Sequence, residues 1–147
     1  GWIELERGEP NNSLEYLEQA ARIAPEPSFS LKLLARAYKE MHRIQDAQDC
    51  LKRSLQLDPS DIDTRMGLIM TLKFQGQYDE VLKLCKQGLA DRPGDLPLSL
   101  ERAEALLLVG DHERAAKIFR RVLRKSPESD RAKTGLISAQ RARQGSR

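Results

Sequence analysis

The sequence has 147 residues, 25 Lys and Arg, 22 Asp and Glu, and a formal net charge of +3, a length that fits one domain or one short array of repeats. With 39% apolar and 32% charged residues, the chain is too apolar to be disordered and too polar to be a membrane protein. Aromatic residues make up 5%, which disfavours a stacking platform for single-stranded nucleic acid.

Four prolines recur along the chain at one constant interval, at Pro25, Pro59, Pro93 and Pro127. Other positions repeat with the same period and keep one physical character each. Turn-forming residues stand seventeen places before each proline, at Gly8, His42, Gly76 and Gly110. Apolar residues stand eight places before, at Leu17, Leu51, Cys85 and Phe119. Agreement across several columns indicates a true internal repeat.

The period divides the chain into successive units. These are a truncated repeat one (1–27), repeat two (28–61), repeat three (62–95), repeat four (96–129), a C-terminal capping helix (130–142) and a tail or linker (143–147). Repeat one begins inside its own first helix, which predicts that the chain is a segment of a longer protein. Nine helices are expected if residues 1–7 form one of them. The capping helix should cover the last apolar surface of the array with a polar outer face.

Each unit is predicted to be a pair of helices. In repeat two, Leu31, Leu34, Ala35 and Tyr38 recur at helical spacing and mark one apolar face. His42 fills a position that needs a left-handed backbone, where the other repeats have glycine. The segment 58–61 then ends the second helix, because proline cannot continue it, and Ser60 or Asp61 can cap the next.

The predicted core combines residues from the second helix of each pair. Leu51, Leu55, Phe119 and Leu123 should be almost fully buried between helices. Cys50 and Cys85 are expected to be buried as small apolar residues. They are too few for a disulfide framework, and two free thiols favour a reducing, cytoplasmic compartment.

A 34-residue helix-turn-helix unit with a closing proline resembles the tetratricopeptide repeat. Repeat two carries the resemblance best, at Leu31, Leu34, Ala35, Tyr38, Ala47, Leu51 and Pro59. The resemblance covers essentially the whole chain. It implies an all-α, right-handed superhelical α-solenoid of antiparallel helix pairs, in which first helices line a concave face and second helices a convex one.

The first helices then supply a candidate groove for a peptide or helix of a partner protein. Basic residues form one edge and acidic residues the opposite edge, with an apolar stripe between them that adapts to a partner's shape. The candidate groove residues are Lys32, Arg36, Lys39, Met66, Met70, Lys73, Phe74, Glu101, Glu104 and Leu108. The alternative for the stripe of Met66, Met70 and Phe74 is packing against helices of the neighbouring repeat.

One peptide-binding mode of the family is excluded. The two-carboxylate clamp for acidic chaperone tails needs Lys, Asn and Arg at set positions of successive first helices. Lys32 and Arg36 stand at the first positions of the clamp. Gly67, Pro97 and Glu101 occupy the later positions, where the clamp needs Asn, Lys and Arg. A glutamate in the place of an arginine would repel a carboxylate.

Charge is distributed unevenly along the chain. Residues 112–147 carry 11 Lys and Arg against 3 Asp and Glu, a net of +8, whereas residues 1–111 carry a net of −5. A convex basic patch is predicted on one helix face, formed by Lys117, Arg120, Arg121, Arg124 and Lys125. It is either a solvated face or a site for an anionic partner, namely an acidic protein domain, a lipid surface or RNA.

Catalytic chemistry is absent from the sequence. His42 and His112 lie two repeats apart, without metal-ligand spacing, and no phosphate loop or dinucleotide fingerprint occurs. The prediction is therefore a non-catalytic protein–protein interaction scaffold with no metal, cofactor or small-molecule substrate. Two alternatives remain open, the repeat arm of a larger enzyme such as a glycosyl- or sulfotransferase, and anionic-surface or RNA binding. Self-association through the repeat ends is a further expectation.

Overall fold

A computed structural model describes residues 10–23 and 27–145, with side chains from residue 14 onward. The helices are α1 (Pro10–Ile23), α2 (Pro27–Glu40), α3 (Ile44–Leu57), α4 (Ile62–Phe74), α5 (Tyr78–Asp91), α6 (Leu96–Leu108), α7 (His112–Lys125) and α8 (Asp130–Gly145). No strand occurs in these ranges, which confirms the all-α prediction. The helix expected over residues 1–7 lies outside the described residues, so eight of the nine expected helices are seen.

The helices form two compact units, Gly1–Thr71 and Leu72–Arg147, whose boundary falls inside α4. In the first unit, α2 packs against both α1 and α3. In the second unit, α5, α6 and α7 each pack against the next helix along the chain, and α6 also contacts α8. The core of the second unit includes a cluster formed by Leu100, Ala103, Leu106, Ala115, Phe119, Val122 and Ala132.

The predicted left-handed turn occurs in all three complete repeats. His42 has φ 57°, Gly76 φ 71° and Gly110 φ 88°. In each case the amide after the left-handed residue donates to a carbonyl five residues back, as from Arg43 to Tyr38 at 2.8 Å. This bond satisfies a carbonyl that the helix end would otherwise leave unpaired. His42 therefore performs the backbone role of glycine, as expected.

Aspartates cap the helices that follow the prolines or turns. Asp61 accepts a bond from the Thr64 amide at 3.0 Å at the start of α4. Asp95 accepts from the Leu98 amide at 2.9 Å, and Asp111 from the Arg114 amide at 3.0 Å. Side-chain capping of this kind typically stabilises a helix by about 1 kcal/mol. These caps fix where α4, α6 and α7 begin.

Burial of the predicted core is confirmed for Leu51, Leu55 and Phe119, and also for Cys50 and Cys85. The prediction for Leu123 is wrong, because this side chain is only partly buried. The buried stripe of α7 passes from Phe119 to Val122, one helical turn further on. Leu123 lies beside that stripe and packs on the rim of the cluster.

The last helix is longer than expected. It was predicted over residues 130–142 and extends to Gly145, so residues 143–145 are helical and not a tail. No proline or left-handed glycine interrupts residues 140–144, and glutamine, arginine and alanine are good helix formers. Buried Ala132, Gly135 and Ala139 mark its inner face. Most of the remaining surface is polar, as a terminal helix requires.

Within residues 10–23 and 27–145, no helix combines the length and apolar character that a bilayer-spanning helix needs.

Candidate functional site

The predicted basic edge lies in the first unit, and its first member serves the fold. The Lys32 ammonium donates to Asp61 Oδ2 at 2.8 Å. The same carboxylate accepts from the Thr64 amide at 3.0 Å and the Thr64 hydroxyl at 2.8 Å. Lys32 thus ties α2 to the N-terminus of α4, where a negative charge also complements the helix dipole.

The other two cations of this edge are more accessible. Arg36 Nε donates to Glu40 Oε1 at 3.3 Å within the same helix. Lys39 is exposed and forms no ion pair with any residue that the structure describes. Lys39 is accordingly the cation of this edge best placed to meet a partner's carboxylate.

Asp61 predicts an acid-sensitive contribution to stability. Burial alone would raise its pKa, but the bonds from Lys32 and Thr64 lower it from 3.8 to about 2. A pKa below that of the unfolded chain stabilises the fold above about pH 4, and this stabilisation is lost as the pH falls toward 2. We expect Asp61→Asn to cost about 1–2 kcal/mol at neutral pH, discounted for the half-exposed Lys32.

Urea unfolding at neutral pH and near pH 3 measures this effect. The difference between Asp61→Asn and the parent should shrink at the lower pH, because the parent then loses the same carboxylate interactions. Asp63→Asn, an exposed carboxylate in the first turn of the same helix, is the matched control. A constant difference across the two pH values would contradict the role assigned to Asp61.

The apolar stripe of α4 is exposed at its C-terminal end. Met66 is half-buried, whereas Met70 is 53% and Phe74 81% exposed. Leu108, one repeat after Phe74 and at the corresponding end of α6, is 56% exposed. The ends of two first helices therefore present large apolar side chains to solvent.

The predicted acidic edge forms an ion-pair cluster inside the second unit. Lys73 Nζ donates to Glu101 Oε2 at 2.6 Å and to Glu104 Oε2 at 2.9 Å. From α8, Arg131 Nη2 donates to Glu101 Oε1 at 2.7 Å and Arg131 Nε donates to Glu104 Oε1 at 2.9 Å. We call these four residues the α4–α6–α8 cluster. Its two positive and two negative charges cancel.

Burial sets the character of this cluster. Glu101 is 2% exposed, and burial by itself would raise its pKa. The hydrogen bonds from Lys73 and Arg131 overcome that effect and hold the pKa of Glu101 below its usual range. Hydrogen bonds to Glu101 and Glu104 raise the pKa of Lys73 against the lowering effect of its burial. Glu101 and Lys73 therefore stay charged near neutral pH, and both carboxylates of the cluster are already occupied by cations.

Arg131 is the member of the cluster that sequence reasoning missed. It lies 30 residues after Glu101 and belongs to the helix expected only to cap the array. A signal did exist, because Glu101 occupies the repeat position held elsewhere by Leu33, Gly67 and Gly135. A carboxylate at such a packed position requires cationic partners from adjacent helices.

The predicted basic patch lies on the solvent-exposed face of α7. Its members, Lys117, Arg120, Arg121, Arg124 and Lys125, are all exposed. They lie opposite the buried stripe of Ala115, Phe119 and Val122.

The Cys50 thiol is unsuited to nucleophilic chemistry. Burial raises the pKa of Cys50 to about 11, so this thiol stays protonated near neutral pH and is a poor nucleophile. Within the described ranges, no three His, Cys, Asp or Glu side chains form a group that could hold a metal ion. The accessible features of the molecule are apolar helix ends and surface charge, which suit contact with another macromolecule.

Helix pairs that recur at a constant interval, joined by left-handed turns, define an α-helical repeat protein. A family model described as tetratricopeptide repeat matches residues 4–70, 40–100 and 72–139. The chain belongs to the tetratricopeptide repeat family. No curated protein matches its sequence.

Solved structures of the same fold agree with this assignment. A tetratricopeptide repeat protein from Parabacteroides merdae is 17% identical with a TM-score of 0.88, over 98% of this chain and 57% of that one. This chain therefore spans less than two thirds of that protein. The first repeat domain of Spaghetti (RPAP3), bound to an HSP90 peptide, is 19% identical with a TM-score of 0.69, over 78% and 91% of the two chains. The second such domain of human RPAP3, in complex with an HSP70 peptide, is 20% identical with a TM-score of 0.67, over 77% and 94%.

Proposed function

We propose that this chain is a non-catalytic interaction scaffold that binds a peptide or helix of a partner protein on the face formed by its first helices. The observation that carries the proposal is the exposure of Met70 and Phe74 at the end of α4. Large apolar side chains cost free energy in water and release it when a partner covers them. Methionine suits such a surface because its flexible side chain adapts to the partner.

Family membership supports the class of ligand. Two of the similar structures hold peptides of HSP90 and HSP70, so this fold accommodates peptide ligands. The anchor proposed for the present chain is nevertheless apolar. Its α4–α6–α8 cluster already pairs Lys73 and Arg131 with internal carboxylates, which leaves those cations unsuited to the terminal carboxylate of a peptide.

Charge then orients the partner and does not anchor it. Lys39 supplies exposed positive charge on α2, whereas the carboxylates of Glu101 and Glu104 are neutralised by their own partners. A bound segment would place its acidic side chains toward α2 and its apolar side chains on α4. Exposed rim charges change mainly the association rate and its salt dependence, while buried apolar contacts set affinity.

The variant Met70→Glu with Phe74→Ala tests the apolar anchor. We expect it to abolish capture of the partner from a lysate of the source cells, because it places a charge in the contact and removes the aromatic ring. Helix content and melting temperature should stay close to the parent, since both side chains are largely exposed. The measurement is affinity capture with the immobilised chain, followed by circular dichroism of each variant.

Leu57→Glu is the matched control, because Leu57 is 56% exposed but ends a second helix, α3. It should leave capture intact, as should Lys117, Arg120, Arg121 and Arg124 changed together to Gln. Loss of capture only in the variant lacking the basic residues would overturn the apolar-anchor proposal and favour an anionic partner. Equal loss with Leu57→Glu would show that the apolar contact is not confined to first helices.

A further inference from the structure

The exposed face of α7 is a continuous row of positive charge. Lys117, Arg120, Arg121 and Arg124 follow the spacing at which helical side chains are neighbours, roughly 5–6 Å apart at Cβ. We propose that this row, together with the C-terminal end of α8, is a second docking surface, for an acidic segment of a partner protein that presents carboxylates at helical spacing.

The charge of this surface is not compensated by the fold. Elsewhere in the second unit, several cations are paired, as in the α4–α6–α8 cluster and in the Lys133–Asp130 pair. Lys117, Arg120, Arg121, Arg124 and Lys125 form no ion pair with a residue in the described ranges. Like charges at adjacent helical positions destabilise an isolated helix, and no carboxylate of the described residues forms an ion pair that offsets this repulsion. An acidic partner would relieve it.

A cavity joins this row to the last helix. Its volume is about 400 Å³, and it is lined by Arg120 of α7 and by Gln140, Arg143 and Gln144 of α8. Each of these four side chains carries N–H donors, and none of the four is a carboxylate. Two guanidinium groups beside two amides suit bidentate hydrogen bonding to carboxylate oxygens. Ile137, one turn before Gln140 on α8, is 49% exposed and offers an apolar contact beside them.

Helical spacing of the charges favours a protein segment over other polyanions. A partner helix presents glutamates once per turn of about 5.4 Å, the same repeat as the α7 row. Single-stranded RNA would need stacking aromatics, but Phe119, the aromatic residue of α7, is fully buried. A membrane-surface helix inserts its apolar face into lipid. That face of α7 is already in the protein core.

Two synthetic peptides of equal composition test the proposal with the whole chain. One is an alanine-rich helix with glutamates along a single face, and the other has the same glutamates distributed around the helix. Fluorescence anisotropy measures each affinity at low and at moderate salt. We expect the one-faced peptide to bind about tenfold more tightly than the scrambled one. We expect added salt to weaken binding.

A pair of charge-matched variants locates the surface. Arg120→Gln with Arg143→Gln should weaken the one-faced peptide about tenfold. Lys83→Gln with Lys86→Gln removes the same charge from exposed positions of α5 and should change affinity less than about twofold. Circular dichroism confirms folding of both variants, since all four residues are exposed.

Three results would overturn the proposal. Equal weakening by the two pairs of substitutions would mean diffuse electrostatic attraction. Equal affinity for the two peptides would show that the surface does not recognise the helical spacing of the glutamates. Tighter binding of oligouridylate, or of phosphatidylserine-containing phosphatidylcholine vesicles, would assign the surface to RNA or to a membrane. Met70→Glu should leave peptide binding here unchanged, which separates this surface from the apolar one on α4.

Discussion

Phe119→Ala is expected to lower the free energy of unfolding by about 3–5 kcal/mol, the usual cost of truncating a buried aromatic side chain. Phe119 is completely buried at the centre of the second unit's core, among Leu106, Val122 and Ala132. A loss of that size is comparable with the total stability of many small domains. Thermal and urea unfolding measure it. A melting temperature within a degree of the parent would show that Phe119 does not hold the core together.

Phe119 packs against Gly135 of α8, and this contact can be tested separately. A Cβ atom built on Gly135 of α8 would lie 2.7 Å from Phe119 Cε2 and closer still to Cζ, well inside van der Waals contact. Gly135→Ala should therefore destabilise by about 1–3 kcal/mol through overpacking, although alanine is the better helix former. Phe119→Leu with Gly135→Ala should recover part of that loss, because the shorter side chain makes room for the methyl group.

The first unit contains a natural control for this pair. Gly67 is the equivalent of Gly135 two repeats earlier, and a methyl group added to it would lie 3.8 Å from Leu51 Cδ2, an ordinary contact. Gly67→Ala should be neutral or stabilising. If Gly67→Ala and Gly135→Ala had equal effects, helix propensity and not contact with Phe119 would be responsible.

Glu101→Gln is expected to cost about 2–3 kcal/mol, because the change leaves Lys73 and Arg131 with one carboxylate between them, and removing one partner of a buried ion pair is strongly destabilising. This cost is smaller than that of breaking a fully buried ion pair, because Glu104 still binds both cations and the Arg131 side chain is 50% exposed. Urea unfolding at neutral pH provides the measurement.

The pH dependence of this variant is a second readout. The folded chain holds the pKa of Glu101 below its ordinary value of 4.5, so its stabilising effect is present above that value and is lost as the pH falls through the folded-state pKa. The gap between Glu101→Gln and the parent should thus narrow in acid. Lys133→Gln breaks an exposed pair with Asp130 and should cost less than about 1 kcal/mol. A comparable loss from Lys133→Gln would contradict the importance given to burial.

The sequence predicted the repeat architecture well because turns and stops depend on neighbouring residues. His42, Gly76 and Gly110 adopt left-handed backbone where the repeat pattern requires it. Asp61 caps α4 as expected. Such features are local, and each is fixed by the conformational limits of glycine, proline and aspartate.

The candidate site was less predictable because it depends on contacts between distant residues. Helical spacing placed Met70 and Phe74 on one stripe, but it could not reveal how much of each is exposed. Glu101 was predicted at an accessible rim, whereas Arg131 and Lys73 from other helices hold it in a buried cluster. The cavity between Arg120 and Arg143 likewise requires α7 and α8 to be packed together.

The pairing of Phe119 with Gly135 bears on how such arrays can change by duplication and shuffling. The bulky Phe119 packs against Gly135, which has no side chain and lies sixteen positions later. Leu51 and Gly67 are separated by the same sixteen positions and also face each other. In the other repeats, the residues at these two positions are Leu17 and Leu33, and Cys85 and Glu101. The helix containing Glu101 could not follow the helix containing Phe119 without a clash at this position. The repeats share one fold, but this position restricts the order in which they can be joined.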